Sequence, residues 1–364
     1  MLNAARHRTA AMIGLTAVAG LTLSACSEEG AGNIEVEGLS EVSGELQGEG
    51  ASSQQRAMDY FASLYEQAAP GSTLSYNASG SGAGQKQFIG GEVAFAGSDS
   101  PLKDDQVAEA TERCSGNAPL HLPMVIGPVA IAYNLGDIEL TLTPDVVAKI
   151  FNGDITEWND PAIAELNDGA DLPDSEIEVV YRSDESGTTD NFMKFLSASA
   201  GDVWPHEHSK AFPSGTGAGA KGSSGVADQV KEIEGSITYV ESGFAEDNGL
   251  GIAKIDFGNG PVELNAESVN TALENLEYKS EGNDMVVDAE KLFQQDGEGA
   301  YPLVLTTYEI VCSSGYDDET RDLLKNFLKV VLEEGQGEEL ANLGYIPVDG
   351  AFKDKLVDAV DSIN

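Results

Sequence analysis

The chain has 364 residues and carries 62 acidic side chains against 20 Lys and Arg, a net charge of −42. So acidic a surface argues against nucleic acid as a partner, because phosphate backbones are held by Lys and Arg, and against unaided adhesion to anionic lipid. A hydrophobic share of 41% is that of a folded chain with one large or two ordinary domains, so the charge reads as a solvated, self-repelling exterior.

The first residues form a targeting segment. Arg6, His7 and Arg8 precede an apolar run from Ala10 to Leu23 that is short and small-sided for a membrane span. Leu23-Ser24-Ala25-Cys26 then resembles a bacterial lipobox, which implies that Cys26 is lipidated and becomes the mature N-terminus. The alternative is an ordinary secretory signal with a chance cysteine. Residues 1–25 hold two arginines and no acid, so the mature chain would carry −44. Residues 26–43 are polar, acidic and glycine-bearing, the composition of a flexible tether.

From Gly44 the pattern alternates strand and helix. Met58, Phe61, Ala62 and Tyr65 share one face of a helix, and Ser52 and Ser53 stand where N-caps belong. Pro70-Gly71 ends it, Thr73–Tyr76 reads as a strand, Gln85–Gly91 as a helix and Val93–Ala96 as a strand, a βαβαβ unit. A second region begins with extended Leu122–Tyr133. It continues with a helix over Pro144–Phe151 capped by Thr143, a strand over Ile177–Tyr181 and a helix over Asn191–Leu196. Ser214–Gly225 reads as a Gly/Ser loop, Gly235–Val240 as a strand, Ala289–Gln294 as a short helix, Tyr301–Val311 as extended and residues 319–334 as an amphipathic helix. Cys114 and Cys312 remain after export. An oxidising compartment favours a disulfide between them over two free thiols, and no histidine nearby in sequence points to a metal site.

Three segments repeat one design, a strand end followed by small hydroxyl residues and glycine, then a helix start. They are Gly50–Ser53, Ser79–Gly82 and Ser186–Thr189. A helix N-terminus offers unpaired N–H groups and a partial positive charge, glycine lets the backbone come close, and hydroxyls add donors. Each alone reads more readily as an N-cap on a turn. Three in one chain, one preceded by Arg182, point to an anion site at the carboxyl ends of the strands.

Arg182-Ser183-Asp184-Glu185-Ser186-Gly187-Thr188 resembles the Arg-x-Asp-x-Ser-Gly-Thr motif of the PstS-type phosphate-binding proteins, the substrate-binding components of ABC phosphate importers. Gly48–Ser52, Tyr76–Gln87, Phe95–Leu102, Phe151–Trp158 and Gly235–Val240 resemble further motifs of that family in the same order. The first loop departs from it: Ser53-Gln54 stands where Phe-Pro is usual, and Glu49 puts an acid beside the loop. The resemblance implies an α/β, type II periplasmic-binding-protein fold, two lobes joined by a two-strand hinge. Lobe I would be 44–126 plus 304–364 and lobe II 127–303. It also implies a phosphate site of Ser52, Ser53, Ser81, Asp99, Arg182, Ser186, Gly187 and Thr188, with Asp184 orienting Arg182. The implied partners are inorganic phosphate, the importer's permease subunits and, through the anchor at Cys26, the outer face of the cell membrane. The chain would act as a monomer, with no cofactor, metal or enzymatic activity.

Asp99 is the informative member. A carboxylate facing an anion makes sense if the anion carries a proton, as phosphate does near neutral pH and sulfate does not. Competing readings are weaker. Gly215–Ser223 fails the Walker A pattern, because Ala220 and Gly222 stand where Gly and Ser/Thr are required. His206-x-His208 beside Trp204-Pro205 reads as a surface turn, and Trp158 and Trp204 as packing residues. Gly-x-Ser-x-Gly is absent around Ser186, which argues against a phosphatase of the same fold; that, a binding protein for another oxyanion and a phosphate sensor are the alternatives to transport.

Overall fold

The computed structural model describes residues 34–364 apart from Ser214, Asn275 and Asp296. The signal segment and Cys26 lie outside the described residues. Of the tether, residues 34–43 are described, and they are pinned: Val36, Leu39 and Val42 pack against the core, and the backbone of Ser40 exchanges two hydrogen bonds with the Asn326 side chain. Three spaced apolar residues within the acidic run account for this docking.

The βαβαβ unit is present: β1 (Gly44–Gly50), α1 (Gln55–Ala68), β2 (Ser72–Asn77), α2 (Ser81–Ile89) and β3 (Phe95–Ser98). β1 lies between β2 and β3, parallel to both. Ala57, Met58, Phe61 and Tyr65 form the buried face of α1; Met58, Phe61 and Tyr65 are as the spacing predicts, while Ala62 at its edge is only half-buried. α3 (Asp104–Arg113) leads into β4 (Pro119–Tyr133), all fifteen residues of which are buried.

The second region holds β5 (Thr141–Leu142), α4 (Pro144–Asn152), α5 (Pro161–Ala164), β6 (Glu178–Arg182), α6 (Gly187–Ser199), β7 (Ala218–Ala220), α7 (Gly222–Glu232), β8 (Ser236–Glu241) and α8 (Ser242–Asp247). Thr143 caps α4, accepting from the Val146 N–H at 3.3 Å. Of the predicted Gly/Ser loop, residues 215–217 are irregular as expected, but 218–220 form β7 and 222–225 the first turn of α7. Alanine and glycine give β7 no apolar alternation, so only pairing with β6 makes it a strand. Then come β9 (Gly251–Ile252), β10 (Lys254–Asp256), β11 (Pro261–Val262), α9 (Ala266–Leu273), α10 (Ala289–Phe293), β12 (Val304–Cys312), α11 (Asp318–Glu333), α12 (Glu338–Asn342) and α13 (Gly350–Asp361).

One mixed sheet runs in the order β2-β1-β3-β12-β4-β8-β6-β7, with β9 also on β4, and a small sheet joins β11, β10 and β5. β4 is shared between two wings. Its residues 119–128 pair with β12, and its residues 129–133 pair with β8. Cys114, after α3, is bonded to Cys312 at the end of β12, with Cα atoms 5.4 Å apart across 198 residues. The bridge therefore closes one wing on itself, between two chain segments far apart in sequence.

Candidate anion-binding site

The first wing supplies a carboxylate and hydroxyls. Asp99 follows β3 and is 3% exposed. Its Oδ1 accepts from Ser53 Oγ at 2.6 Å and Thr307 Oγ1 at 2.8 Å, and its Oδ2 from Ser81 Oγ at 3.3 Å. Ser81 opens α2, and its Oγ also accepts the Asp99 N–H. Ser52 and Ser53 do not cap α1. Gln54 is its N-cap residue, with no side-chain cap, because both serine hydroxyls are turned into the site instead. Ser52 Oγ accepts the Ser223 N–H at 3.0 Å, and Tyr345 holds the turn by donating to the Ser53 carbonyl at 2.6 Å. Glu49 is spent on Ser79, whose Oγ donates to it at 2.7 Å, so its acid braces the second loop against the first.

The second wing supplies the cation. Arg182 ends β6 and is 2% exposed. Its Nε and Nη2 donate to the two carboxylate oxygens of Asp184 at 2.8 and 2.5 Å, so Asp184 does hold the guanidinium, in the bidentate geometry that fixes its plane. The Gly222 N–H also reaches Asp184. Nη1 remains directed at Ser223 Oγ, 3.1 Å away. The wall behind is aromatic: Tyr239 stacks on Phe192 with centroids 4.3 Å apart, its hydroxyl pairs with Thr189 Oγ1 and accepts the Arg182 N–H. Such packing leaves little rotamer freedom to a side chain already paired at its head.

α6 begins at the meeting of the wings. Ser186 caps it, accepting the Thr189 N–H at 3.2 Å, which still leaves its own proton to give. At Gly187 a Cβ would lie 2.5 Å from Ser81 Oγ and 2.7 Å from the Asp99 Cβ, so only glycine lets this turn touch the first wing. Thr188 Oγ1 lies 3.5 Å from both Asp99 Oδ2 and Arg182 Nη1, and 2.7 Å from Glu241 Oε1. All eight residues expected from the sequence are thus buried within one connected cluster, drawn from the N-terminal turns of α1, α2 and α6 and the ends of β3 and β6.

Four participants escaped the sequence reading. Ser223 opens α7 and repeats the strand–hydroxyl–helix design, a signal hidden by reading its segment as a loop. Asn191 donates to the Asp99 carbonyl at 2.5 Å from one turn into α6, a position the helical period could have suggested. Thr307 and Glu241 lie on buried strands, and nothing local distinguishes them.

Electrostatically the site is crowded with acid. Burial pushes the Asp99 pKa up, and the hydroxyls of Ser53 and Thr307 and the charge of Arg182 only partly offset it. Glu241 is raised by burial and then by the charge of Asp99. Burial acts upward on Asp184 too, but the hydrogen bonds and charge of Arg182 outweigh it, so the net direction is down. One guanidinium, already matched by Asp184, therefore faces two further carboxyl groups.

Residues 35–334 match the family described as a PBP superfamily domain. Phosphate-binding protein PstS 3 of Mycobacterium tuberculosis is 41% identical over 368 residues, spanning 98% of this chain and 99% of that one. The chain belongs to the PstS phosphate-binding-protein family. Phosphate-binding protein PstS2 of Mycobacterium bovis is likewise 41% identical, over 370 residues, with the same coverage. Among solved structures, the phosphate-binding protein of Stenotrophomonas maltophilia superposes with a TM-score of 0.64 at 22% identity, over 86% of this chain and 93% of that one. The α/β periplasmic-binding-protein fold implied by the sequence motifs is thereby confirmed. PstS relatives and structural neighbours are phosphate-binding proteins. Among the described residues no helix is long and apolar enough to cross a membrane.

Proposed function

We propose that this protein captures inorganic phosphate outside the cytoplasm and delivers it to an ABC importer. The observation that carries this reading is a buried Asp99, ringed by hydroxyls, in the same cluster as a buried Arg182. Neutral donors and one guanidinium suit a small oxyanion; the carboxylate suits one that carries a proton. Arg182 would supply the charge, and the N-terminal turns of α1, α2 and α6 with Ser52, Ser53, Ser81, Ser186 and Thr188 the hydrogen bonds. Asp99 would accept the O–H of hydrogen phosphate. Sulfate has no proton to offer and would leave a buried acceptor facing it unpaired, a cost of about 1–3 kcal/mol or more.

The two wings would be lobes, 44–126 plus 304–364 and 127–303, moving about the crossings near residues 126–128 and 303–304. The change of partner along β4, from β12 to β8, favours that division. Contacts made between the wings are those closure would form: Lys86 Nζ with Glu185 Oε2 at 2.5 Å, Ser100 Oγ with Asp190 Oδ2 at 2.6 Å, and the Gly82 N–H with the Glu185 carbonyl at 3.0 Å. A lipid on Cys26 would hold the chain at the outer face of the membrane, where it would act as a monomer beside the permease. Binding rather than hydrolysis is favoured because, among the described residues, no histidine is hydrogen-bonded to Ser186: His121, His206 and His208 pair with Asp284, Asn152 and Asp190, and the Ser186 hydroxyl caps α6.

Titration calorimetry on residues 27–364 tests this. Tight phosphate binding with sulfate rejected is the expected result. No heat with phosphate, on protein shown to be free of ligand, would overturn it.

A further inference from the structure

Glu241 ends β8 and is 1% exposed. Its Oε1 lies 2.7 Å from Thr188 Oγ1, and its Oε2 is buried with no hydrogen-bond partner. An ionised carboxylate buried with one oxygen unsolvated is expensive, whereas a neutral carboxyl leaves only a weak carbonyl acceptor unpaired. The groups facing it only partly offset that cost: the charge of Arg182 and the hydroxyls of Ser223 and Thr188 favour the ionised form, and burial and the charge of Asp99 outweigh them. Asp99 adds a like charge. Arg182 is matched by Asp184 through both carboxylate oxygens, and Tyr345, which has Glu241 among the charges acting on it, is neutral. Arg56, the next cation along, is held by Asp247 and the Leu343 carbonyl.

The Thr188 hydroxyl has one proton to give. With Glu241 ionised, that proton goes to Oε1, and a bound anion meets a second carboxylate with one donor fewer. With Glu241 neutral the bond reverses, and the proton of Thr188 becomes free.

We propose that Glu241 is a positioning residue that stays protonated, donates from Oε1 to Thr188 Oγ1, and thereby turns the Thr188 hydroxyl toward the bound phosphate. The role of Thr188 rests on the phosphate reading; the protonation of Glu241 does not. The carboxyl loses its proton as pH rises, so affinity falls on the alkaline side. Where free phosphate is already the monohydrogen dianion, its own titration adds nothing to that fall. Acid leaves the bond intact. Loss of affinity at low pH therefore comes from other groups, Asp99 first, whose protonation removes the acceptor.

Two measurements test this on residues 27–364. Infrared difference spectra of wild type minus E241Q, taken without ligand at pH 7, read the protonation directly. A protonated-carboxyl C=O band is expected; its absence, with carboxylate bands in its place, overturns the proposal whatever the ligand proves to be. Phosphate titrations from pH 6 to 10 then read the coupling. Wild-type affinity should fall by up to about tenfold per pH unit above the Glu241 pKa. E241Q, whose amide N–H can still donate to Thr188, should flatten that fall, and E241L should lower affinity at every pH. Equal alkaline slopes for wild type and E241Q would overturn the coupling. No phosphate binding by any variant, with the infrared band present, would instead reject the phosphate reading and leave Glu241 neutral.

Discussion

The two wings solve different parts of one problem. Among the described residues, the β1–β3 wing presents no cation to the centre of the site. Its contribution is Asp99 and three hydroxyls that donate to it, from Ser53, Ser81 and Thr307. The β6–β8 wing presents Arg182, fixed by Asp184, and the starts of α6 and α7. An acceptor selects which anion fits, and a buried cation decides how strongly any anion is held. On the proposed site, dividing them between wings would mean that neither offers a complete site until the two meet, as they do through Gly187 and Ser223. The division would also explain how a chain of net charge −42 can hold an anion: surface charge is screened beyond about 8–10 Å, while the proposed site would work by short desolvated contacts.

The comparison can be broken most severely at Arg182. R182M should abolish measurable binding of phosphate and sulfate alike. It should also cost about 3–5 kcal/mol of stability, because the half-buried Asp184 carboxylate loses its cation and keeps only the Gly222 N–H. Calorimetry with a denaturant melt reads both. Next is the bridge that closes one wing on itself: C114S with C312S should lower stability by about 2–5 kcal/mol and leave phosphate affinity intact. Lost affinity in a still-folded variant would show that the bridge shapes the site. D99N should act on selection, weakening phosphate by about 1–3 kcal/mol while letting sulfate bind, so that the ratio of the two affinities, unlike that of R182M, collapses.

A subtler test lies behind Asp99. Glu309 on β12 is fully buried, neither carboxylate oxygen has a partner, and Gln54 Oε1 beside it is also unsatisfied. Burial first, then the charge of Asp99, raises its pKa well above the usual carboxylate range. A neutral Glu309 donating to Gln54 Oε1 resolves both unpaired groups. Since the folded pKa is the higher one, the stability this acid contributes is full below about pH 4, the unfolded value, and drains away as pH rises toward the folded one. E309Q should therefore be more stable than wild type at pH 8 by about 1 kcal/mol or more, and no more stable at pH 4; each unit of raised pKa corresponds to about 1.4 kcal/mol. The smallest effect is kinetic. Added neutral salt should speed phosphate association a few-fold by screening the acidic surface, and a steep fall with salt in stopped-flow traces would contradict the screening account.

The sequence alone determined the pieces whose causes are local. The 3.6-residue spacing in α1, Thr143 before α4, the run from Leu122 to Tyr133 and the repeated strand–hydroxyl–helix turns are legible because period, capping and turn chemistry act over a few residues. The motif around Arg182 offered Asp184, two residues on, as its partner, and the structure shows the contact. Tertiary structure decided the rest. Whether Ser52 and Ser53 cap a helix or face the site depended on Asp99 and Ser223, residues 46 and 171 positions away. β7 became a strand only because β6 offered it an edge. Thr307 and Glu241 carry no local signal, since any buried strand can hold a Thr or a Glu. Their meaning comes from what the fold places opposite them: a carboxylate needing a donor in one case, a hydroxyl with one proton to give in the other.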